Sequence, residues 1–415
     1  MLRATAASQI SADLITPLGA YLRLRDNEPS FLLESVEQGR LGRYSFLGTG
    51  ARLLSFEGAE VALEGGAPVV GYLGYDHVAR LEPTVPLPDE GPDLPESLFV
   101  VAHTLVRFDH LAGLAEVLAG DPEEVAAHLA GPLVEPPAST GHPAGALRRF
   151  PSRDQYERAV LRAKDYIRAG DAFQIVLSQR AERPTAASAV AIYRALRRVN
   201  PSPYLFLLEL GGIALVGSSP ETLVKLEGTR ASVNPIAGTT RPGEGDAERL
   251  LASEKDRAEH VMLVDLGRND LSRVCTAGSV RVERFLAAER YSHVTHLVSE
   301  VVGDLRPGVS PFDLLRATFP AGTVSGAPKV RAMQIISELE GYRRGPYAGA
   351  VGYALPAASA FDTCIGIRTI VLRDGLAYLQ AGAGIVADSD PTAENQECLN
   401  KLAALQAAID LAEAS

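Results

Sequence analysis

Cysteine is scarce in this chain. Its three residues, Cys275, Cys364 and Cys398, are odd in number, far apart and never in C-x-x-C spacing. That argues against a disulfide framework and a zinc site, and points to reduced thiols in a cytoplasmic protein. Long apolar runs are also missing. None reaches the ~18–20 residues needed to span a membrane, and the N-terminus has no basic-then-apolar signal. Positive charge is in deficit, with 40 Lys and Arg against 51 Asp and Glu and a net charge of −11. A nucleic-acid-binding surface and an anionic membrane partner are therefore not expected. An anionic small substrate stays possible, because a metal ion or a local Arg can invert the field inside one pocket. No repeat of fixed period is present.

What remains is an ordinary globular composition, 46% hydrophobic and 22% charged, over 415 residues. That length predicts two domains or one large double-layered one. The densest stretch is Glu259-His-Val-Met-Leu-Val-Asp-Leu-Gly-Arg-Asn-Asp270. Its apolar centre reads as buried, with ionisable groups at both ends that need a partner, a hydrogen bond or a metal. Helix formers upstream predict one helix from about Asp246 to near Gly267. The same pattern also fits an ordinary core helix with capping charges.

Residues 1–145 read as short strands and turns, including a meander through Leu53–Phe56 and Val61–Leu63, a single strand over Leu98–Phe108, and a linker within 120–145. Residues 146–415 add helices at Asp154–Ala169 and Ala187–Val199, a hairpin around Gly211-Gly212, and apolar segments such as Phe361–Leu372. Strands come mostly in consecutive pairs, which favours an α+β fold of antiparallel sheets with peripheral helices over a doubly wound one. In the last helix, opened by Asp390 and Pro391, the residues Cys398, Leu402, Leu405, Ile409 and Ala412 form an apolar stripe flanked by Glu397. Glu397 could pair with Lys401 on the surface, or meet Glu259 across a pocket, where two carboxylates need a cation between them and oxygen ligation suits Mg²⁺. Gly322-Thr-Val-Ser-Gly-Ala-Pro-Lys329 lacks the Gly-Lys-[Ser/Thr] of a Walker loop and reads as a Gly-rich turn into a helix. Gly382-Ala-Gly384 would let a backbone approach a ligand closely, or mark a strand bend.

Ser219-Pro-Glu-Thr222, Pro235-Ile-Ala-Gly-Thr239, Glu259-His…Asp270, His296-Leu-Val-Ser299, Ser325-Gly-Ala-Pro-Lys329, Asp362-Thr-Cys-Ile365 and Gly382-Ala-Gly384 occur in one order. That order, covering nearly the whole chain, resembles the chorismate-utilising enzymes, and within them the anthranilate synthase component I family. The resemblance implies a sandwich of two antiparallel β-sheets flanked by helices. Residues 1–145 would contribute strands and a regulatory tryptophan site, and residues 146–415 the chorismate-binding catalytic region. By position, Glu259 and Glu397 would be the Mg²⁺ ligands. Tyr347, Arg368, Gly382, Ala383 and Gly384 would bind the substrate's carboxylates, with Gly238 and Thr239 on the opposite wall. Glu221 would be the general acid at the ring's C4 hydroxyl, His296 would assist pyruvate elimination, and Thr323 would position the substrate.

The resemblance also implies the reaction: Mg²⁺-dependent amination of chorismate at C2, then loss of pyruvate to give anthranilate, the first committed step of tryptophan biosynthesis. Ala237 cannot serve as the Lys nucleophile of aminodeoxychorismate synthases, and Gln174 replaces the Lys that activates water in isochorismate synthases, so ammonia adding directly to C2 is the reading left. The altered Gly238-Thr-Thr-Arg-Pro-Gly243 loop leaves Arg241 without a role. Ser35, Pro203 and Tyr204 would line the site for feedback inhibition by L-tryptophan. No convincing amidotransferase nucleophile motif is present, so glutamine-derived ammonia would need a glutamine amidotransferase subunit (component II), in a heterotetramer of two large and two small subunits.

Overall fold

The computed structural model describes residues 8–26, 29–35, 42–133, 145–240, 243–290 and 295–414. Among them, two antiparallel sheets of 12 and 10 strands lie face to face, with helices on both outer sides. Period-two alternation builds these layers. In the strand Tyr204–Leu210, Leu205 and Leu207 face outward into a helix-covered core with Tyr193, Leu402 and Ile409. Phe206 and Leu208 face inward and meet Tyr72, Val100 and Val351 of the other sheet. The expected α+β sandwich is therefore what the chain forms.

The helices follow their capping signals. Ser152 and Gln155 form a reciprocal capping box at the start of Arg153–Arg168. Asp390 caps Pro391–Glu413, and the stripe Cys398, Leu402, Leu405, Ile409 and Ala412 is buried throughout. No helix among the described residues is long and apolar enough to cross a membrane.

Strands from both sides of residue 145 interleave. Ser30–Glu34 lies between Tyr44–Thr49 and Tyr204–Leu210 in the larger sheet, and Val69–Leu73 pairs with Ala350–Ala354 in the smaller one. The stretch read as a linker contains the helix Pro122–Ala130, capped by Asp121; its residues 134–144 lie outside those described.

Four expectations are corrected. The helix foreseen from Asp246 is two, Asp246–Ala252 and Glu254–Ser272. Ser253 turns extended (φ −71°, ψ 110°) and its hydroxyl caps the second helix at Asp256 N. That helix runs through Gly267, where a Cβ would lie 2.9 Å from Val233 Cγ2, so the glycine serves close packing on the sheet and does not stop the helix. Val61–Leu63 belongs to the helix Phe56–Glu64. Leu98–Phe108 and Phe361–Leu372 each divide into two strands in different sheets: Ser97–Val101 and Thr104–Asp109, then Phe361–Ile365 and Thr369–Arg373. Both halves are apolar, so periodicity alone misses the break. A further crossing, between Ile213–Ser219 and Thr222–Glu227, carries Pro220 and Glu221.

Candidate active site

The strand Leu376–Ile385 organises the site. It pairs with Gln174–Pro184, placing Gly382 opposite Ser178 and Gly384 opposite Val176. The glycines admit two side chains that any Cβ would strike. At Gly382 it would lie 2.7 Å from the Tyr347 hydroxyl, and at Gly384 2.6 Å from Gln174 Nε2. Gln174 Nε2 donates to Glu259 Oε1 at 2.9 Å, while Gln174 Oε1 is buried without a partner. From the other side, Lys401 Nζ donates to Gly382 O at 2.7 Å and pairs with Glu397 Oε1, also at 2.7 Å. The surface-pair reading of Glu397 is thus correct as geometry. It also brings Glu397 to the strand that Glu259 reaches through Gln174.

Glu221 and Arg368 sit on the crossings between sheets. Glu221 O accepts from Ile365 N at 3.0 Å, and Arg368 O accepts from Ser218 N at 3.1 Å, so the two crossings brace one another. Burial raises the Glu221 carboxyl to about 8. The Thr323 hydroxyl, buried and otherwise without a hydrogen-bond partner, lies beside it and draws the value back part of the way. Arg368 adopts a left-handed backbone (φ 50°). Burial lowers its guanidinium pKa, and Tyr347 and Glu397 are close enough to oppose that. His296 Nδ1 lies 3.0 Å from Gly238 O, and Thr239 pairs with His296 in the strand register. Burial holds His296 below its ordinary value, with Arg368 acting in the same direction, so the ring is neutral at neutral pH.

The donor set fits Mg²⁺ in chemistry. Glu259 and Glu397 supply carboxylate oxygens from two helices, the first held by Gln174 and the second by Lys401, and the charge of Lys255, one turn before Glu259, is felt at Glu394, beside Glu397. Among the described residues no group of three or more His, Cys, Asp or Glu side chains could hold a metal, so water and substrate would complete the coordination.

Ser35, Pro203 and Tyr204 do not join this site. They line a separate cavity of about 290 Å³ between the sheets. A larger groove of about 450 Å³, at the turns Gly211-Gly212 and Asp374-Gly375, contains none of the residues expected at either site.

Arg344 and Glu340 went unforeseen. They form a buried pair at 2.6 Å. Glu340 accepts from Ser178 N and Oγ, and Arg344 donates to the carbonyls of Val176 and Val324. Together they fix the strand opposite Gly382. An i, i+4 Glu-Arg spacing was visible in the sequence, but it also occurs on any solvated helix end. Lys329 and Asp270 pair at 2.8 Å, joining the Ser-Gly-Ala-Pro-Lys motif to the Arg-Asn-Asp cluster, and His260 Nε2 meets Ser299 Oγ at 2.6 Å. Those parts of the two motifs hold the helix that presents Glu259.

Glu221 and Arg368 thus sit on braced crossings, Arg368 lies close to Tyr347 and Glu397, and the glycine strand is flanked by the Gln174–Glu259 and Lys401–Glu397 contacts. The family model for chorismate binding enzymes matches residues 15–407, and the chain belongs to that family. Within it, the chain is similar to anthranilate synthase component 1 of Thermus thermophilus, at 46% identity over 97% of each chain, and to that of Acetivibrio thermocellus, at 40% identity over 97% of this chain and 94% of the relative. Anthranilate synthase component I of Streptococcus pneumoniae superposes with a TM-score of 0.80 at 33% identity, covering 95% of this chain and 98% of that one. The menaquinone-specific isochorismate synthase of Escherichia coli shares the fold, with a TM-score of 0.78 at 22% identity over 97% of this chain and 94% of that one.

Proposed function

We propose that the chain is the large subunit of an anthranilate synthase, converting chorismate and ammonia to anthranilate and pyruvate. The observation that carries this reading is Glu221, a buried carboxyl raised to about 8, set on a sheet crossing that is braced against the Arg368 crossing. A hydroxide at C4 is a poor leaving group and needs a proton as it departs; Glu221 is protonated at neutral pH and can deliver it. Arg368 grips a substrate carboxylate, helped by the Tyr347 hydroxyl and the backbone N–H groups of Gly382, Ala383 and Gly384. Glu259 and Glu397 would hold Mg²⁺, which when bound supplies Lewis-acid pull on the ring carboxylate. Ammonia adds at C2 on the Gln174 side, where no lysine is available to activate water, giving aminodeoxyisochorismate. Neutral His296, held at Gly238 O, then assists loss of pyruvate as the ring aromatises.

The absence of a convincing glutaminase motif supports a separate glutamine amidotransferase subunit as the ammonia source, assembled two-and-two with this chain. The cavity lined by Ser35, Pro203 and Tyr204 is of a size to take L-tryptophan as a feedback inhibitor. The test is product analysis with chorismate, Mg²⁺ and ammonium, then with glutamine with and without the amidotransferase subunit. Pyruvate release with a fluorescent anthranilate product supports the reading; a product that retains the enolpyruvyl group overturns it.

A further inference from the structure

The inhibitor cavity and the general acid are separated by one hydrogen bond. Tyr204, on the cavity wall, points its hydroxyl to Thr222 Oγ1 at 2.7 Å and Asp362 Oδ1 at 3.1 Å. Thr222 is buried and directly follows Glu221. The backbone repeats the connection: Tyr204 pairs with Ser219 at the end of its strand, and Thr222 pairs with Cys364, which also lines the cavity. The segment Ser219–Thr222 is therefore held at both ends by residues that a ligand in the cavity would touch. Between Thr222 and Val224 the ladder to Phe361–Ile365 changes register, which interrupts regular pairing next to the crossing.

We propose that Thr222 is a positioning residue that carries occupancy of the cavity to Glu221 through the Tyr204 hydroxyl. A ligand pressing on the Tyr204 ring displaces the hydroxyl that holds Thr222, and the crossing that carries the acid moves with it. The coupling is reciprocal, so chorismate weakens binding in the cavity by the factor by which the ligand weakens chorismate binding. The inference rests on the reading of the cavity as a tryptophan site.

The chain contains no tryptophan, so added L-tryptophan is the only indole present and its fluorescence reports binding directly. The test compares the full-length protein with Thr222→Val, Thr222→Ser and Tyr204→Phe, measuring tryptophan binding with and without chorismate, and inhibition of ammonia-dependent turnover. Thr222→Val is expected to bind tryptophan within about twofold of the parent while the concentration for half-inhibition rises at least tenfold and chorismate no longer weakens binding. Thr222→Ser should restore both. Tyr204→Phe, which removes the hydrogen bond from its other end, should lose inhibition as Thr222→Val does, and serves if Thr222→Val fails to fold. Inhibition of Thr222→Val and Tyr204→Phe at the parent's tryptophan concentration overturns the proposal and leaves the cavity reading standing. Loss of binding together with inhibition in Thr222→Val also overturns it. Failure of the parent protein to bind tryptophan overturns the cavity reading itself, and the proposal with it.

Discussion

Two kinds of buried polar group occur in the same short motifs. At the helix Glu254–Ser272, Asp270 is paired with Lys329 and His260 with Ser299; behind the glycine strand, Arg344 is paired with Glu340. The two ion pairs are satisfied by the protein, while His260 keeps a buried Nδ1 without a partner. At the candidate site that balance is missing: Glu221 is buried with no cation beside it among the described residues and only the Thr323 hydroxyl as neighbour, and Gln174 Oε1 is buried without a partner. A buried polar group left unsatisfied costs stability and calls for an explanation. The ion pairs hold the elements around the candidate site, whereas Glu221 has no such charge partner, although both kinds lie within stretches that the sequence alone presents as one.

The largest effect should come from breaking the pocket side. Glu221→Gln is expected to lower turnover by about a thousandfold, the middle of the range for a lost general acid. The parent's kcat/KM should fall tenfold per pH unit above about 8, as Glu221 loses its proton. The same variant should be more stable than the parent at high pH. A carboxyl raised from 4.5 to about 8 on folding binds its proton more tightly in the folded state. Its cost is absent below the unfolded value and full above the folded one. Thermal unfolding at pH 9 should show a gain on the order of 5 kcal/mol that vanishes near pH 4, and an unchanged difference across that range would remove the unbalanced-acid argument.

The holding side should behave in the opposite way. Lys329→Met strands Asp270 and should cost roughly 3–5 kcal/mol in denaturant unfolding, whereas Lys329→Met with Asp270→Leu should recover most of it. A double variant as unstable as the single one would mean that the pair does more than neutralise itself. Between the two classes, Gly384→Ala pushes Gln174 off Glu259 and should lower kcat/KM by about 10–100-fold, the usual loss for a displaced supporting contact, with little change in melting temperature. The smallest effect is expected at Lys401→Met, whose partner Glu397 is half-exposed: stability should change by less than about 1 kcal/mol, as for other surface pairs.

Much of this was legible in residue order. The apolar stripe of the last helix, the Asp390 cap and the hairpin at Gly211-Gly212 are local patterns, and the structure has them in place. Glu259 and Glu397 could be singled out because charges beside apolar runs are costly. What was not legible depends on distant compensation. Arg344 and Glu340 look like a solvated helix end until Ser178 and Val176 close over them. The breaks inside Leu98–Phe108 and Phe361–Leu372 are invisible because a strand entering either sheet is equally apolar. The interruption at Ser253 was missed because helix propensity continues on both sides of it. Glu221 stood in a recognisable motif, but its burial follows from the sheet crossing, which no short-range pattern encodes.

The interleaving of strands also bears on heredity. Ser30–Glu34, which leads to Ser35, is hydrogen-bonded on both sides within the larger sheet, next to strands that build the catalytic half. Removing it would open two ladder edges inside an apolar core. On the proposed reading of the cavity as an inhibitor site, a descendant of this chain cannot shed it by losing a segment, as a protein with an appended sensory module can. On that reading, escape from inhibition has to come one residue at a time, within a wall shared with the strands around the candidate site.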